Sequence, residues 1–330
     1  MQGALRQKFP KFKGIDLMSR PLKPKSIEDY SQKWKKFMGF LEKEIPGCEP
    51  IIDDALDFLL KLFNDGLKPA TVNHYKSSIQ KPLLAKFGID LRIQEARDLI
   101  WAMYQKRPNK PSQDPHWDLN KVLKYIDEDM PEELSDEELL RKTAFLLLLA
   151  TGIRISELHA TLRTRDCCSF TADNFLRLRH HELFLAKNER PDKRWPPRVV
   201  KPLYLRDGKR SKLCPVSSLK EYLRRTSSFK SGRLFRSTGK HSKELSKHQL
   251  STEICKLIVK ADPGTKAKVH DIRSYASSYS LATTMITPDE LADAVGWTSP
   301  STFYQFYRSA IDPLNREVSL PGPDPRIQDR

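Results

Sequence analysis

Apolar side chains recur at three- and four-residue steps through most of this chain, with short β-type runs in one central stretch. Ile27, Tyr30, Trp34, Phe37 and Leu41 mark a first helix from Ser26. That spacing lines one face of a 3.6-residue helix. Residues 51–63 repeat it with Ala55, Phe58, Leu59 and Leu62. A third helix starts near Pro69 and runs through Val72, Tyr75 and Ile79, and a fourth covers 93–105. These four predict an all-helical domain over 26–105. Residues 106–116 then carry three prolines, with Lys106, Arg107 and Lys110, and read as a linker stiffened by proline.

A second domain is expected over 117–312. Residues 119–126 are helical, and the acidic stretch 127–138 has no basic residue. Ser135 and Glu138 form a capping box for a helix with the apolar run 145–149, and Gly152 is placed to end it in a left-handed turn. Residues 175–178, 182–186 and 198–206 read as strands, rich in β-branched and aromatic residues. They surround the most basic part of the chain, with 13 Lys/Arg against 4 acids over 187–225. Residues 215–225, 246–260 and 271–285 return to helix. Thr287, Pro288 and Glu290 open another, Gly296 closes it, and Ser299–Pro300 starts a last one through 308. The pattern gives a mainly α fold with a small β-sheet. Residues 1–25 form a basic arm and 313–330 a proline-containing tail.

Charge narrows the partner. Lys and Arg total 58 against 42 acids, a formal net charge of +16, which favours a polyanion: nucleic acid or a membrane surface. No apolar run reaches the ~18 residues of a span, and the first residues lack a signal-peptide core, so nucleic acid is the better reading. The five cysteines form no C-x-x-C pair, as expected in a reducing intracellular compartment. His180, His181 and the Cys167–Cys168 pair match no zinc-ligand spacing. Neither metal nor cofactor is expected.

Four segments carry the candidate chemistry. Residues 144–159 read AFLLLLATGIRISELH, delivering Arg154 just past Gly152 with Glu157 one turn on. Downstream stand His270–Asp271–Ile272–Arg273, then Gly296–Trp297, then a cluster with Tyr304 and Tyr307. Phosphodiester transesterification needs the nonbridging oxygens neutralised, a nucleophile in line, and a proton for the leaving oxygen. Guanidinium groups fit the first task, being always charged and fork-shaped. A phenol conserves the bond energy in a covalent link. Histidine or lysine moves protons near neutral pH.

Two arginines, a histidine, a tryptophan and a tyrosine in this order resemble the active site of the tyrosine recombinase (phage-integrase-type) family. The resemblance implies that Arg154 and Arg273 clamp the phosphate, that Glu157 orients the site, and that His270 and Trp297 complete it. It also implies a lysine in a β-hairpin turn. Lys187 is the first choice, with Lys193 and Lys201 as alternatives. The phrase 296–307 is similar to recombinases of DIRS-like retrotransposons and Cryptons, where the tyrosine ends a Phe-x-x-Phe-Tyr string. Tyr307 fits, although it stands ten residues after Trp297 where many relatives have nine, and Tyr304 is the alternative.

The implied architecture is an N-terminal helical core-binding (SAM-like) domain, its 67–86 segment resembling a DNA-contacting helix, and a C-terminal α/β catalytic domain, closing as a clamp on DNA. The implied function is a site-specific recombinase or integrase working through a 3′-phosphotyrosyl intermediate, for mobile-element integration or excision. Its partner would be double-stranded DNA at inverted-repeat or terminal sites, bound as a homo-tetramer, with no membrane. Its place would be nuclear in a eukaryotic host and otherwise cytoplasmic or nucleoid. The alternatives are a domesticated, non-catalytic DNA-binding protein that kept the fold, and a type IB topoisomerase-like relaxase.

Overall fold

Helix-forming patterns at both ends of the chain become helices in a computed structural model, which describes residues 24–108, 117–205, 207–229, 232–237, 242–283, 286–297 and 299–306. The chain divides into two units between Pro111 and Ser112. Most of the arm, residues 109–116 of the linker, Tyr307 and the 313–330 tail lie outside the described residues.

The first unit holds α1 (Pro24–Glu44), α2 (Ile52–Asn64), α3 (Pro69–Phe87) and α4 (Gln94–Lys106). Their apolar faces meet in one core of Phe37, Phe58, Leu59, Leu62, Ile79, Leu83 and Ile100. Phe37 and Phe58 pack edge to face with centroids 5.1 Å apart, a geometry favoured by the ring quadrupoles. Pro69 begins α3 where its missing N–H costs nothing, and Gly88 ends it at φ 71°.

The second unit is built around α6. Helix α5 (Leu119–Lys124) is capped by the Asp118 side chain and runs on into a wider turn over Tyr125–Asp129. Helix α6 (Asp136–Thr151) opens on the Ser135–Glu138 capping box and buries every residue from Thr143 to Thr151. A helix apolar all round sits inside its domain. Helices α8 (Pro215–Arg225), α9 (Lys247–Ala261) and α10 (Val269–Thr283) all pack against it. The short α7 (Ile155–His159) follows α6, and α11 (Pro288–Val295) and α12 (Ser301–Phe306) end the described chain. Strands β1 (Cys168–Phe170), β2 (Leu176–Leu178) and β3 (Arg198–Val200) form an antiparallel sheet in that order, with Leu178 facing Cys168 on one side and Arg198 on the other.

Two strand expectations need correction. Residues 182–186 are not a strand. The Phe184 N–H bonds the His181 carbonyl at 2.9 Å, a turn, and Leu183 is 84 % exposed. Residues 198–206 shorten to Arg198–Val200, because Pro202 has no N–H for the ladder; beyond it Tyr204 makes only an isolated bridge to Arg210. Strand β1 was not expected from the pattern. Helix α10 starts at Val269, two residues before the expected 271, so His270 lies within its first turn.

Candidate active site

The end of α6 places the first arginine. Gly152 takes φ 60°, the left-handed conformation that only glycine adopts freely, and its N–H closes on the Leu148 carbonyl at 2.9 Å. The chain reverses, and Arg154 becomes the extended N-cap of α7 at φ −77°, ψ 149°. One turn on, Glu157 is buried and accepts a 3.1 Å hydrogen bond from Arg154 Nη1. That contact fixes the guanidinium while leaving its other N–H groups for an anion.

Arg273 arrives from α10. Its helix is anchored by Ile272 and Ala276 in the core and by Tyr275, whose hydroxyl donates to the Trp117 carbonyl while the rings pack at 4.7 Å. Arg273 is only 2 % exposed. Its Nη1 donates to the Gly152 carbonyl and its Nη2 to the Val295 carbonyl at 2.7 Å. One cation thus joins the C-terminal ends of α6 and α11, where helix dipoles favour positive charge. Its guanidinium carbon lies 5.3 Å from the Trp297 ring centroid.

His270 stands one turn before Arg273, near the first N–H groups of α10, a position that suits an anion. Its imidazole is held below its ordinary 6.5 by lost hydration first, then by Arg273; the charges of Arg154 and Lys187 act the same way, and Asp271 opposes them. Arg273 reaches the Gly152 carbonyl two residues before Arg154, and His270 lies one turn before Arg273, so these three groups converge on one region. Lys187 itself is exposed. Lys201 holds its ammonium over the Phe175 ring, 5.8 Å from the centroid, and the backbone of Lys193 closes a small turn with Arg190. Neither alternative is drawn to the arginines by any of these contacts.

Residues 116–312, more than half of the chain, match the phage integrase family. The chain belongs to that family. A search of curated proteins finds no match. Among solved structures the chain is similar to the Tn1549 transposon integrase in complex with transposon right-end DNA, at 15 % identity over 94 % of this chain and 95 % of that one, with a TM-score of 0.56. It is also similar to the XerH site-specific recombinase bound to a palindromic difH substrate, at 17 % identity over 88 % and 78 %, TM-score 0.54. A lambda integrase dimer bound to a COC' core site shows 17 % identity over 97 % and 98 %, TM-score 0.50. At such identities the likeness establishes the fold, mainly helical with a small antiparallel sheet.

In this member of the phage integrase family the third cationic side chain came unannounced. Arg198, at the start of β3, feels the carboxylates of Glu157 and Glu189 and the guanidinium of Arg154; burial pushes its own basicity down. A Cβ on Gly296 would lie 3.5 Å from Arg198 Nη2 and 3.2 Å from Trp195 Cε2, so that turn, at φ 74°, is closely covered. Three guanidinium groups (Arg154, Arg194 and Arg198) act on the two carboxylates Glu157 and Glu189, a balance that favours a bound anion. Glu189 and His180, also unexpected, meet at 2.7 Å. A buried charge has no periodicity to betray it; the only signal was the density of charged residues over 187–198.

Trp297 is buried against Phe303, centroids 6.0 Å apart, in a small cluster with Ile286, Leu291 and Val295. Phe303 in turn meets the Tyr304 ring at 5.2 Å, and Tyr304 is 55 % exposed. Tyr307 lies outside the described residues. Among the described residues no cluster of three or more His, Cys, Asp or Glu is arranged to hold a metal ion.

Proposed function

We infer that this protein is a site-specific DNA recombinase that cuts and rejoins strands through a 3′-phosphotyrosyl intermediate. The observation that carries the reading is the pairing of Arg154 with a buried Glu157 beside the turn whose Gly152 carbonyl Arg273 holds, with His270 one helical turn before Arg273. Tyr307 is the nucleophile we assign. As its phenol oxygen bonds to phosphorus, its proton passes to neutral His270. The phosphorus–O5′ bond breaks with its electron pair on O5′, which takes a proton from Lys187. Arg154 and Arg273 hold the nonbridging oxygens, and Trp297 walls the site. The free 5′-hydroxyl of a second duplex reverses the step.

The wider assignment follows from the same reading. The helical first unit and the catalytic second unit close on duplex DNA as a clamp, at inverted-repeat or terminal sites of a mobile element of the DIRS-like or Crypton kind. Four copies act together on paired sites, in the nucleus where the host is eukaryotic and otherwise in the cytoplasm or nucleoid. Binding draws on counterion release at phosphates, so affinity falls steeply with salt.

A nicked suicide substrate tests the reading, because loss of a short 5′-hydroxyl fragment traps the covalent adduct. Wild-type protein should give an SDS-resistant protein–DNA species and Tyr304→Phe should too, whereas Tyr307→Phe should give none. Absence of any adduct with the element's own terminal DNA overturns the catalytic reading and leaves a DNA-binding protein that kept the fold.

A further inference from the structure

Glu189 buries its carboxylate completely in a loop whose residues 187, 188 and 190–193 are exposed. One oxygen accepts the Ala186 N–H at 2.9 Å and meets His180 Nε2 at 2.7 Å. The other accepts the Trp195 N–H at 2.8 Å, with Arg194 Nε 3.6 Å away. Ala186 immediately precedes Lys187, and Trp195 closes the far side of the turn. A single carboxylate therefore ties together both feet of the segment that carries Lys187. Burial pushes the Glu189 carboxyl up, but the two backbone N–H groups and His180 outweigh it and hold it below the ordinary 4.5. The tied loop is then seated on the turn before Trp297. Asn188 Nδ2 donates to the Gly296 carbonyl at 3.4 Å, and the Trp195 indole covers Gly296.

Burying an ionised carboxylate is costly, and a neutral side chain would close an ordinary turn more cheaply. The return is geometric: a lysine at the tip of a free loop samples many positions, whereas proton delivery needs one. We propose that Glu189 is a positioning residue for strand cleavage, tying the loop so that Lys187 meets the leaving 5′ oxygen. This rests on the function proposed above. In the step concerned, the phosphorus–O5′ bond breaks, the electron pair stays on O5′, and the proton moves from Lys187 Nζ to O5′, leaving a neutral amine. A substrate with sulfur in place of the bridging 5′ oxygen expels a thiolate, which needs no proton.

The test compares oxygen- and sulfur-bridged suicide substrates in single-turnover cleavage by the full chain. Lys187→Ala should slow cleavage of the oxygen substrate by on the order of 10²- to 10⁴-fold and cleave the sulfur substrate near the wild-type rate. Glu189→Gln keeps the shape but presents an amide NH2 to one of its donors. It should slow the oxygen substrate by on the order of 10²-fold, with the sulfur substrate restored and DNA affinity unchanged. Equal slowing on both substrates would mean a merely structural role, and no slowing on either would mean no role; both overturn the proposal. If Glu189→Gln does not fold, Glu189→Asp, which keeps the charge and shortens the reach, carries the same comparison. Wild-type protein that traps neither substrate removes the recombinase reading itself. Lys187→Ala equally impaired on both removes Lys187 as the acid, and Glu189's role with it.

Discussion

Arg273 is a structural tie as well as the phosphate ligand proposed above, and Arg273→Ala separates this arrangement from a simple surface clamp. Its two donors satisfy the Gly152 and Val295 carbonyls, the last turns of α6 and α11. Hydrogen bonds from a charged donor contribute about 1.5–3 kcal/mol each, so the pair is worth roughly 3 kcal/mol even at the low end of that range. A domain of this size has about 5–15 kcal/mol in all. The loss should fall unevenly. The main core around α6 does not depend on Arg273, whereas α11, Trp297 and Phe303 belong to a small separate cluster that this guanidinium ties to α6 and Leu281 ties to α10.

Urea unfolding followed by tryptophan fluorescence should therefore show a lower midpoint for Arg273→Ala. Amide exchange should quicken over residues 286–303 while 139–151 stay protected. Cleavage should fall by about 10²–10³-fold, the scale for losing one charge-stabilising donor. Arg154→Ala should cut cleavage comparably and cost about 1–3 kcal/mol of stability, since it leaves the buried Glu157 carboxylate without its donor, yet leave exchange over α11 unchanged. An Arg273→Ala chain with the wild-type urea midpoint and unchanged exchange in α11 would refute the tie.

Three further outcomes follow from single groups. Gly152→Ala forces an L-residue to φ 60° and should cost about 1–2 kcal/mol, read as a lower urea midpoint, with cleavage reduced because Arg154 leaves the turn at a changed angle. His270 has a lowered pKa, so folding favours its neutral form. Its contribution is complete above 6.5 and is lost as pH falls through the lowered value, so cleavage should hold at pH 7, drop at lower pH, and lose that limb in His270→Gln. Burial pushes the Cys168 thiol up to about 12, so at pH 8 iodoacetamide should label exposed Cys48 and spare Cys168 until denaturant is added; early labelling of Cys168, read by mass spectrometry, contradicts the packing of β1.

How much of this was legible depended on whether the deciding interaction was local. The Ser135–Glu138 and Thr287–Glu290 capping boxes, Pro69 and Pro288 at first helical positions, and Gly152 and Gly296 at helix ends are settled within about four residues. They were readable, and with them the turn that presents Arg154. Residues 182–186 misled because Glu-Leu-Phe-Leu-Ala looks like a half-buried strand. What holds that segment is non-local: His180 to Glu189, nine positions apart, and Arg194 Nη2 on the Phe184 carbonyl at 2.8 Å. Side-chain ties of this kind leave no periodic trace and override local propensity.

The same distinction separates the two halves of the site. Arg154, Glu157, His270 and Arg273 sit on helices or helix caps, whose registers are fixed by the core: Leu158 on one side, Ile272 and Ala276 on the other. Lys187 sits on a loop, with buried Ala186 before it but no helix to set its register. The buried Glu189 carboxylate, accepting from Ala186 and Trp195, is the group present to do so. Of these five groups of the proposed site, four come from rigid helices; the fifth, on a loop, requires its own polar anchor, and a charge that is costly to bury is retained where position matters more than stability.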